Sequence, residues 1–376
     1  MPRVLICYLV RNSGHHSAAR AIEDALHRLL PSVETLCVDL LEYTHPRWSA
    51  IIQRTYMVTL RRTPDVWNAL YDSPLLEYLT RKIRGLIQRG NSKPLRQLMD
   101  SFQPDCAVCT QAHPLAVLSA YARRHGSALH LWGVVTDFIP HRFWVVDGLA
   151  GYVVPDERAA DRLVLLGADA SRMHVLGIPV NPGFVADRKP PISRENGRRV
   201  LVMGGSRGLG ARYRTIRCLD RSEAEFTIDV VTGTNRRLRA RLVRNRKRFR
   251  HPIRIRGYVK DVVALMHRAS LLLSKPGGLT AAEAMATGLP FVIVRPLPGQ
   301  EEGNTEVLVR HGAAVHLKTD RDVVPVVTAL LRNRRLLAMM RERASKLGRP
   351  DAAMDIARLV AGDLAPRGGA AGTRGP

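Results

Sequence analysis

Residues 275–285 read KPGGLTAAEAM and directly follow the apolar run Leu271–Leu273, which is typical of a short buried strand. Two adjacent glycines, Gly277 and Gly278, allow the backbone to turn sharply and leave the next N–H groups uncovered by side chains. A strand, a Gly-rich turn and a helix N-terminus in this order form a place where an anion can bind. The stretch therefore predicts one unit of an α/β fold with an anion site at its turn.

A structural interpretation of the same letters is equally strong. Thr280 is followed three residues later by Glu283, and this spacing is the pattern of a capping box, in which both side chains satisfy backbone donors of the first helical turn. The acid is then explained without any ligand. On this stretch alone, a structural and a functional role are equally supported.

Apolar runs rich in strand-forming residues recur along the whole chain. Segments of helix length separate them, and this alternation is typical of parallel sheets covered by helices on both faces. The pattern occurs twice, so the sequence predicts two Rossmann-like parallel-sheet domains. The runs are 3–9, 34–38, 105–109 and 129–135 in the first half, and 199–203, 226–232, 253–256, 270–273, 290–294 and 313–316 in the second.

The domain borders follow from length and composition. A chain of 376 residues fits two domains of ordinary size. The segment VNPGFVADRKPPISRENGRR, which ends at Arg199, is rich in Pro, Gly and charge and predicts a linker. We expect an N-terminal domain over 1–185, a linker over 186–198, a second domain over 199–348, a C-terminal helix over 349–362 and a disordered, low-complexity tail over 363–376.

The charge balance is strongly positive. The chain carries 58 Lys and Arg against 33 Asp and Glu, a formal net charge of +25. This predicts an anionic partner, whether a membrane surface, a nucleic acid or a nucleotide-bearing substrate. No apolar run approaches the roughly 18 residues of a membrane span, and five scattered cysteines indicate a reducing compartment. We therefore expect a cytoplasmic protein without a membrane-spanning segment.

Two stretches could contact an anionic surface. The insertion 43–95 mixes Trp, Tyr and Arg at helical spacing, as in WSAIIQRTYMVTLRRTPDVW from Trp48; this suits a bilayer surface and suits helices covering a sheet equally well. The stretch 236–256 is densely basic but poor in aromatics, so it is typical of a solvated helix face and offers no base-stacking platform. Nucleic acid is therefore not an expected partner.

Two glycine turns follow predicted strands. The first strand ends in VRNSGHHSAARAI, which places His15 at the carboxyl edge of the sheet, where α/β proteins bind ligands. The second domain opens with VLVMGGSRGLGARY, whose glycines, including Gly205 and Gly208, gather backbone N–H groups suited to phosphate. Neither turn has the spacing of a dinucleotide fingerprint or a Walker loop.

A polar loop follows the next strand in LPFVIVRPLPGQEEGN. Gln300, Glu301 and Asn304 offer amide and carboxylate groups of the kind that bind hydroxyls. Hydroxyl-binding groups next to an anion site suit a sugar nucleotide better than a bare nucleotide. The D-x-D sequence at 320–322 comes after these motifs, and we interpret it as surface.

Together these motifs resemble the monogalactosyldiacylglycerol synthase and processive diacylglycerol glycosyltransferase family. The resemblance runs from about residue 3 to 345 and depends on SGHHSAARAI, VVTDFIPHRFW, GGSRGLG, KPGGLTAAEAMATGLP and PLPGQEEGN. It implies a GT-B fold, in which two Rossmann-like domains face each other across a cleft. One position departs from the family pattern G-x-G-H, because Asn12 stands in place of the first glycine.

The resemblance also implies an activity: transfer of a hexose, with inversion, from a UDP-sugar to a lipid hydroxyl such as that of diacylglycerol. The family acts at the membrane surface without a bound metal, which implies an anionic membrane partner, no cofactor besides the donor, and a peripheral location on the inner face of the cell membrane. His15 is the implied base, with Asp137 and His141 as second candidates.

The implied donor site lies in the second domain. Glu283 accepts the ribose hydroxyls, so that the acid both caps its helix and binds the nucleotide. The other donor residues divide by the part of the donor that they hold: Gly205, Gly208, Gly277, Gly278 and Thr280 hold the diphosphate, and Gln300, Glu301 and Asn304 hold the sugar.

Three alternatives remain at this point. A peptidoglycan-type UDP-GlcNAc polyprenyl transferase shares the fold, but P-G-Q-E-E-x-N favours the diacylglycerol group. A sugar-nucleotide epimerase would not need the aromatic and basic insertion. A non-catalytic protein that binds anionic lipid or nucleic acid would explain the charge but would leave the donor motifs without a role.

Overall fold

The computed structural model describes residues 1–43, 92–186, 198–205, 208 and 210–364. The predicted insertion 43–95, the linker 186–198 and the tail 363–376 therefore lie almost entirely outside the described residues. Within the described part of the chain, no helix is both long enough and apolar enough to cross a bilayer.

The first domain contains a sheet of six parallel strands. Its strands are β1 (Arg3–Tyr8), β2 (Glu34–Asp39), β3 (Cys106–Cys109), β4 (His130–Val134), β5 (Gly151–Val154) and β6 (Met173–Val175). They are arranged in the order β2-β1-β3-β4-β5-β6. The apolar runs predict the first four but not β5 and β6. β6 has three residues, too few to show a period, whereas β5 is as long as β3, which the sequence does predict.

The second domain repeats this plan. Its strands are β7 (Arg199–Met203), β8 (Thr227–Val231), β9 (Ile253–Arg256), β10 (Leu271–Ser274), β11 (Phe291–Val294) and β12 (Ala314–Leu317). They are arranged in the order β12-β11-β10-β7-β8-β9, again all parallel. All six coincide closely with predicted runs. This is the order of doubly wound nucleotide-binding sheets, in which ligands bind beside the first strand at the carboxyl edge.

Helices connect the strands and cover both faces of each sheet. They are α1 (Gly14–Leu29), α2 (Ser92–Phe102), α3 (Ala112–His125), α4 (Glu157–Leu165), α5 (Gly183–Ala186), α6 (Tyr213–Leu219), α7 (Arg236–Arg244), α8 (Val263–Arg268), α9 (Gly278–Ala286), α10 (Gln300–Arg310), α11 (Val323–Arg332), α12 (Arg334–Leu347) and α13 (Ala352–Leu364).

Alternate residues of the strands build the cores on the two faces of a sheet. In β1, Val4 and Ile6 belong to one buried cluster, and Leu5 and Cys7 belong to the other. The first of these clusters also contains residues 353–360 of the C-terminal helix α13, which packs beside α1. The chain therefore returns from the second domain to the first, and the buried apolar side chains of α13, at about 1.5–3 kcal/mol for each large one, stabilise that return.

The turn after β1 explains the departure at Asn12. Val10 and Asn12 both have left-handed backbone, with φ of 66° and 58°. Asparagine tolerates this region better than other non-glycine residues, so Asn12 can replace a glycine here. Asp39, at the end of β2, accepts hydrogen bonds from the Val10 and Leu41 amides at 2.9 and 3.2 Å. Asp39 therefore holds the turn that leads to His15.

Candidate functional site

The carboxyl edges of the two sheets meet, and they meet where each strand order reverses. In the first sheet this point lies between β1 and β3, and in the second it lies between β7 and β10. A Cβ on Gly278 would lie 1.8 Å from the carbonyl oxygen of Thr136 in the facing domain. Only glycine permits this approach, so the GG pair brings the predicted donor turn against the first domain.

His15 lies at the start of α1, in the first helical turn, where Ser13 caps the helix by accepting from the His16 amide at 3.2 Å. The His15 Nδ1 atom is 3.0 Å from the Thr110 carbonyl oxygen and 2.8 Å from the Thr136 hydroxyl. Because a carbonyl only accepts, Nδ1 carries the proton and Nε2 keeps its lone pair. Burial lowers the pKa of His15 to about 4, against a smaller raising effect of the Thr110 carbonyl.

The neutral imidazole has the form that a general base requires. Because Nδ1 donates its proton to the Thr110 carbonyl, Nε2 is the atom that can accept a proton at neutral pH. The sequence finds His15 but not its two orienting partners, because Thr110 and Thr136 follow β3 and β4, far away in the chain.

Asp137 lies next to Thr136 and is only 8% exposed. Its Oδ1 atom accepts from the Asn304 side-chain amide at 3.2 Å. Burial raises the pKa of Asp137 to about 7, and nearby Glu301 adds to the rise, while hydrogen bonds from Asn304 and from the Gly278 amide oppose it. Asp137 can therefore change charge near neutral pH, at the contact between the domains.

Asn304 is fully buried and connects the domains through both ends of its amide. Its oxygen accepts from the Phe138 amide at 2.9 Å, and its nitrogen donates to the Pro276 carbonyl at 3.0 Å as well as to Asp137. We define this set of contacts, between residues 137–138 of the first domain and Pro276 and Asn304 of the second, as the interdomain clasp. The sequence predicts that Asn304 holds the donor sugar, and that remains a prediction; the contacts observed for its amide are those of the clasp.

His141 lies four residues beyond Asp137, just before the short 3-10 helix Arg142–Trp144. Its ring packs edge-on against Phe143, with centroids 5.4 Å apart, and 6.3 Å from Trp144. These contacts place His141 in an aromatic group, whereas the contacts of His15 and Asp137 connect them to Thr136 and its neighbours.

The helix of the opening stretch begins three residues earlier than a capping box at Thr280 requires. Gly277 is the N-cap and α9 starts at Gly278, so Thr280 is the third helical residue and Glu283 the sixth. The predicted capping box and the first-turn acid are therefore wrong. Gly278, needed for the close approach to Thr136, is the first helical residue, and the first turn presents backbone N–H groups toward the domain contact.

Glu283 lies in the second turn of α9. Burial raises its pKa to about 8, and the negative charge of Asp261 adds to the rise. The carboxyl group is protonated at neutral pH. As an acid it can both donate to and accept from a hydroxyl.

The predicted sugar residues begin α10, after Gly299. Glu301 is 7% exposed, and its Oε1 atom forms an ion pair with the Lys275 ammonium. Its Oε2 atom accepts from the Leu297 amide at 2.8 Å. Gln300 is the first residue of the helix and is partly exposed. Sequence reasoning missed Lys275, although a charged residue directly after a buried strand at the carboxyl edge is itself a signal.

The glycines after β7 form a tight loop against Lys275. Gly208 has a φ of 66°, and a Cβ there would lie 2.0 Å from the Thr232 carbonyl oxygen. Its amide donates to the Gly205 carbonyl at 3.0 Å. The loop therefore closes on itself next to the predicted diphosphate position.

Among the described residues, no cluster of His, Cys, Asp and Glu has the composition of a metal site. The D-x-D sequence does not form one. Asp320 is buried, accepts from the Thr215 hydroxyl at 2.8 Å and pairs with Arg295, while Asp322 accepts from the Thr319 amide at 2.8 Å. The interpretation of this sequence as surface is therefore wrong for Asp320, which joins α6 to the end of β11.

Two family models match consecutive parts of the chain. The match described as Monogalactosyldiacylglycerol (MGDG) synthase spans residues 15–180, and the match described as Glycosyltransferase family 28 C-terminal domain spans residues 199–356. A processive diacylglycerol beta-glucosyltransferase from Bacillus cytotoxicus is 26% identical over 367 residues, which covers 96% of this chain and 93% of the relative. The chain is a glycosyltransferase. The resemblance carried by the motifs is thereby confirmed.

Solved structures confirm the GT-B fold of this glycosyltransferase. MurG from Acinetobacter baumannii has a TM-score of 0.61 at 16% identity, covering 96% of this chain and 100% of MurG. UDP-GlcNAc 2-epimerase from Neisseria meningitidis, bound to UDP-GlcNAc, has a TM-score of 0.59 at 14% identity, with coverages of 96% and 100%. Because an epimerase shares the fold, the fold by itself does not separate group transfer from epimerisation.

Proposed function

We propose that this glycosyltransferase moves a hexose from a UDP-sugar to the hydroxyl of a lipid acceptor such as diacylglycerol, with inversion and without a bound metal. The observation that carries the proposal is the contact of the two switch points, which brings the neutral His15 and the N-terminus of α9 to one place. The full-length similarity to a processive diacylglycerol beta-glucosyltransferase supports the lipid acceptor.

The reaction is a single displacement. The acceptor hydroxyl loses its proton to His15 Nε2 while its oxygen forms a bond to the anomeric carbon of the donor. The bond from that carbon to the β-phosphate oxygen breaks, and its electron pair leaves with UDP. Attack on the face opposite the leaving group inverts the anomeric carbon.

Negative charge grows on the diphosphate as UDP leaves. The amides of Gly278 and Gly208 already donate to Asp137 and to the Gly205 carbonyl. The helix dipole of α9, the remaining first-turn N–H groups and the glycine loop after β7 are placed to stabilise this charge. Fixed dipoles of this kind substitute for a divalent cation. If the chain's own residues stabilise the leaving group, the enzyme should stay active in the presence of a chelator.

Glu283 and the residues at the start of α10 account for specificity. Glu283 binds the ribose hydroxyls from the second turn of α9. Gln300 and Glu301 bind hydroxyls of the hexose. A site built to hydrogen-bond a hydroxyl discriminates strongly against a substrate that lacks it, because the buried polar group of the protein is then left unpaired.

The net charge of +25 suits an anionic membrane surface. We place the enzyme on the inner face of the cell membrane, where a nucleotide sugar and a lipid acceptor are both available. The insertion 43–95 is the proposed contact, on the basis of its sequence alone.

One experiment separates this function from its alternatives. The protein is incubated with UDP-sugars and with vesicles that contain or lack diacylglycerol, in EDTA, and UDP, glycolipid and epimerised donor are measured. We expect UDP and a glycolipid only with diacylglycerol, and loss of both in His15→Ala. Epimerised donor without acceptor, or activity that requires added magnesium or manganese, contradicts the proposal.

A further inference from the structure

We propose that Lys275 binds the diphosphate of the donor and stabilises the leaving UDP, and that Glu301 holds its ammonium in position until the donor arrives. This inference rests on the proposed function. It adds a cation of the chain itself to a site so far described only by backbone dipoles.

The position of Lys275 is the first argument. It is the first residue after β10, at the switch point of the second sheet. Its side chain runs along the glycine loop, since a Cβ on Gly210 would lie 3.1 Å from Lys275 Cγ and a Cβ on Gly205 would lie 3.4 Å from Lys275 Cε. The aliphatic stem is thus packed against the loop that borders the proposed diphosphate position.

The place of the ammonium is the second argument. It meets Glu301 Oε1, and the same oxygen would lie 3.8 Å from a Cβ on Gly277, the N-cap of α9. Side-chain exposure is only 20% for Lys275 and 10% for Glu301. An acidic oxygen therefore lies between an ammonium and a helix N-terminus, which are the two groups that a phosphate oxygen seeks.

Charge decides how the pair responds to the donor. A diphosphate carries more negative charge than one carboxylate, and water screens this partly buried site weakly, so the ammonium gains by moving to the phosphate. Glu301 keeps its bond from the Leu297 amide and so stays in place. The Oε1 atom of Glu301, no longer paired with Lys275, can then accept a hydrogen bond from a hydroxyl of the hexose. Lys275 then binds the diphosphate of the donor, and Glu301 binds its hexose.

The role of Lys275 is greatest as the donor bond breaks. The electron pair of the broken carbon–oxygen bond moves onto the β-phosphate oxygen, and an ammonium next to it stabilises that charge more in the transition state than in the bound donor. Loss of Lys275 should therefore lower kcat as well as donor affinity.

Binding of a ligand series tests the inference. Isothermal titration calorimetry is done with uridine, UMP and UDP on the wild type, Lys275→Met and Lys275→Arg. We expect Lys275→Met to weaken UDP binding at least about tenfold, UMP less, and uridine less than about twofold, with partial rescue in Lys275→Arg. Lys346→Met is the matched control, because Lys346 also pairs with a glutamate in this domain, on an exposed helix.

A second pair of variants covers the case in which Lys275→Met leaves Glu301 buried without its partner and fails to fold. Glu301→Gln should bind UDP as well as or better than the wild type, and Lys275→Met/Glu301→Gln should bind UDP at least about tenfold more weakly than Glu301→Gln.

The outcomes separate the inference from the function on which it rests. Equal UDP affinity of a folded Lys275→Met, or equal losses for uridine and UDP, overturns the role of Lys275. A wild type that binds none of the three ligands overturns the proposed donor instead.

Discussion

Asn304 on α10 donates its side-chain amide to the Asp137 carboxyl group across the domain contact, with 3.2 Å between Nδ2 and Oδ1. The same side chain accepts from the Phe138 amide of the first domain and donates to the Pro276 carbonyl of the donor turn. A single amide thus fixes the position of the donor turn relative to the loop that carries Thr136, the partner of His15. The interdomain clasp therefore couples the two halves of the site.

Replacing Asn304 by Ala should destabilise the protein and loosen the contact between its domains. Three hydrogen bonds are lost, and the buried Phe138 amide is left unpaired, which should cost about 1–3 kcal/mol of unfolding free energy. Urea unfolding measures this cost, and hydrogen exchange of the Phe138 amide reports on the clasp. Asn333→Ala is the control, since Asn333 caps α12 within one domain. Unchanged protection of the Phe138 amide in Asn304→Ala would contradict the clasp.

Asp137→Asn should change how stability depends on pH. The pKa of Asp137 is raised to about 7 in the folded protein, above the unfolded value of about 3.9, so the folded state holds the extra proton between these values. Its contribution to stability is present below about pH 4 and is lost as pH rises to 7. Relative to the wild type, Asp137→Asn should gain stability over this window, by on the order of 1 kcal/mol per pH unit. Urea unfolding at several pH values measures the difference, and a constant difference would contradict the raised pKa.

The pH dependence of the rate should show no acid limb near the ordinary pKa of histidine. Because burial lowers the pKa of His15 to about 4, the imidazole is already neutral at pH 5.5. We expect kcat/KM measured with saturating acceptor to show no fall with a midpoint near 6.5. His15→Ala should lower kcat by about 10²–10⁴-fold and leave UDP binding unchanged. A rate that falls tenfold per pH unit below 6.5 in the wild type but not in His15→Gln would show that His15 has an ordinary pKa.

Glu283→Gln tests which form of Glu283 binds the ribose. Its pKa of about 8 means that the neutral acid is present at pH 7. If the acid binds the ribose, Glu283→Gln should retain UDP affinity at pH 7, and the affinity of the wild type should fall above pH 8. Asp261→Asn should move this fall to lower pH, because the Asp261 charge helps to raise the pKa of Glu283. Calorimetry from pH 6 to 9 measures both effects, and wild-type affinity that rises with pH would show that the carboxylate is the binding form.

The sequence predicts the fold well because the alternation of apolar, strand-like runs with helix-length segments is repeated along the chain. Short runs rich in apolar residues, separated by segments of helix length, locate ten of the twelve strands described here. β6 is missed because it has only three residues, lies at the edge of its sheet and is only partly buried. β5 is buried and as long as β3, and its length does not explain why it is missed. The two parallel sheets and the GT-B fold are predicted from the same repetition and from the family resemblance.

The candidate site is less predictable, because its contacts join residues that are far apart in the chain. The pattern Thr280 to Glu283 predicts a capping box, but the helix begins earlier, at Gly278, which lies against the Thr136 carbonyl of the facing domain. Likewise Asn304 has the chemistry to bind a sugar, and only the facing domain reveals its contacts with residues 137–138. Local spacing indicates which residue types are present, whereas tertiary contact decides their partners.

Peripheral membrane attachment through 43–95 remains the prediction that depends on sequence alone, since residues 44–91 lie outside the described residues. We expect both electrostatic and apolar contributions to vesicle binding. The arginines contribute on the order of 1 kcal/mol each at an anionic surface, and this share should weaken as salt shortens the Debye length. The contribution of the aromatic side chains to binding should persist at high salt. We therefore expect strong flotation with anionic vesicles at low salt, weaker flotation at high salt, and little with neutral lipid.

A variant that replaces two tryptophans and four arginines of the insertion should lose flotation while UDP binding persists; these residues are Trp48, Trp67, Arg54, Arg61, Arg62 and Arg84. The matched control removes four exposed arginines of the second domain, Arg236, Arg237, Arg244 and Arg246, and should still float. Charge alone then cannot explain the difference, because both variants lose four positive charges. If instead the insertion variant floats normally and the control does not, the basic stretch 236–256 is the membrane contact and the insertion only covers the sheet.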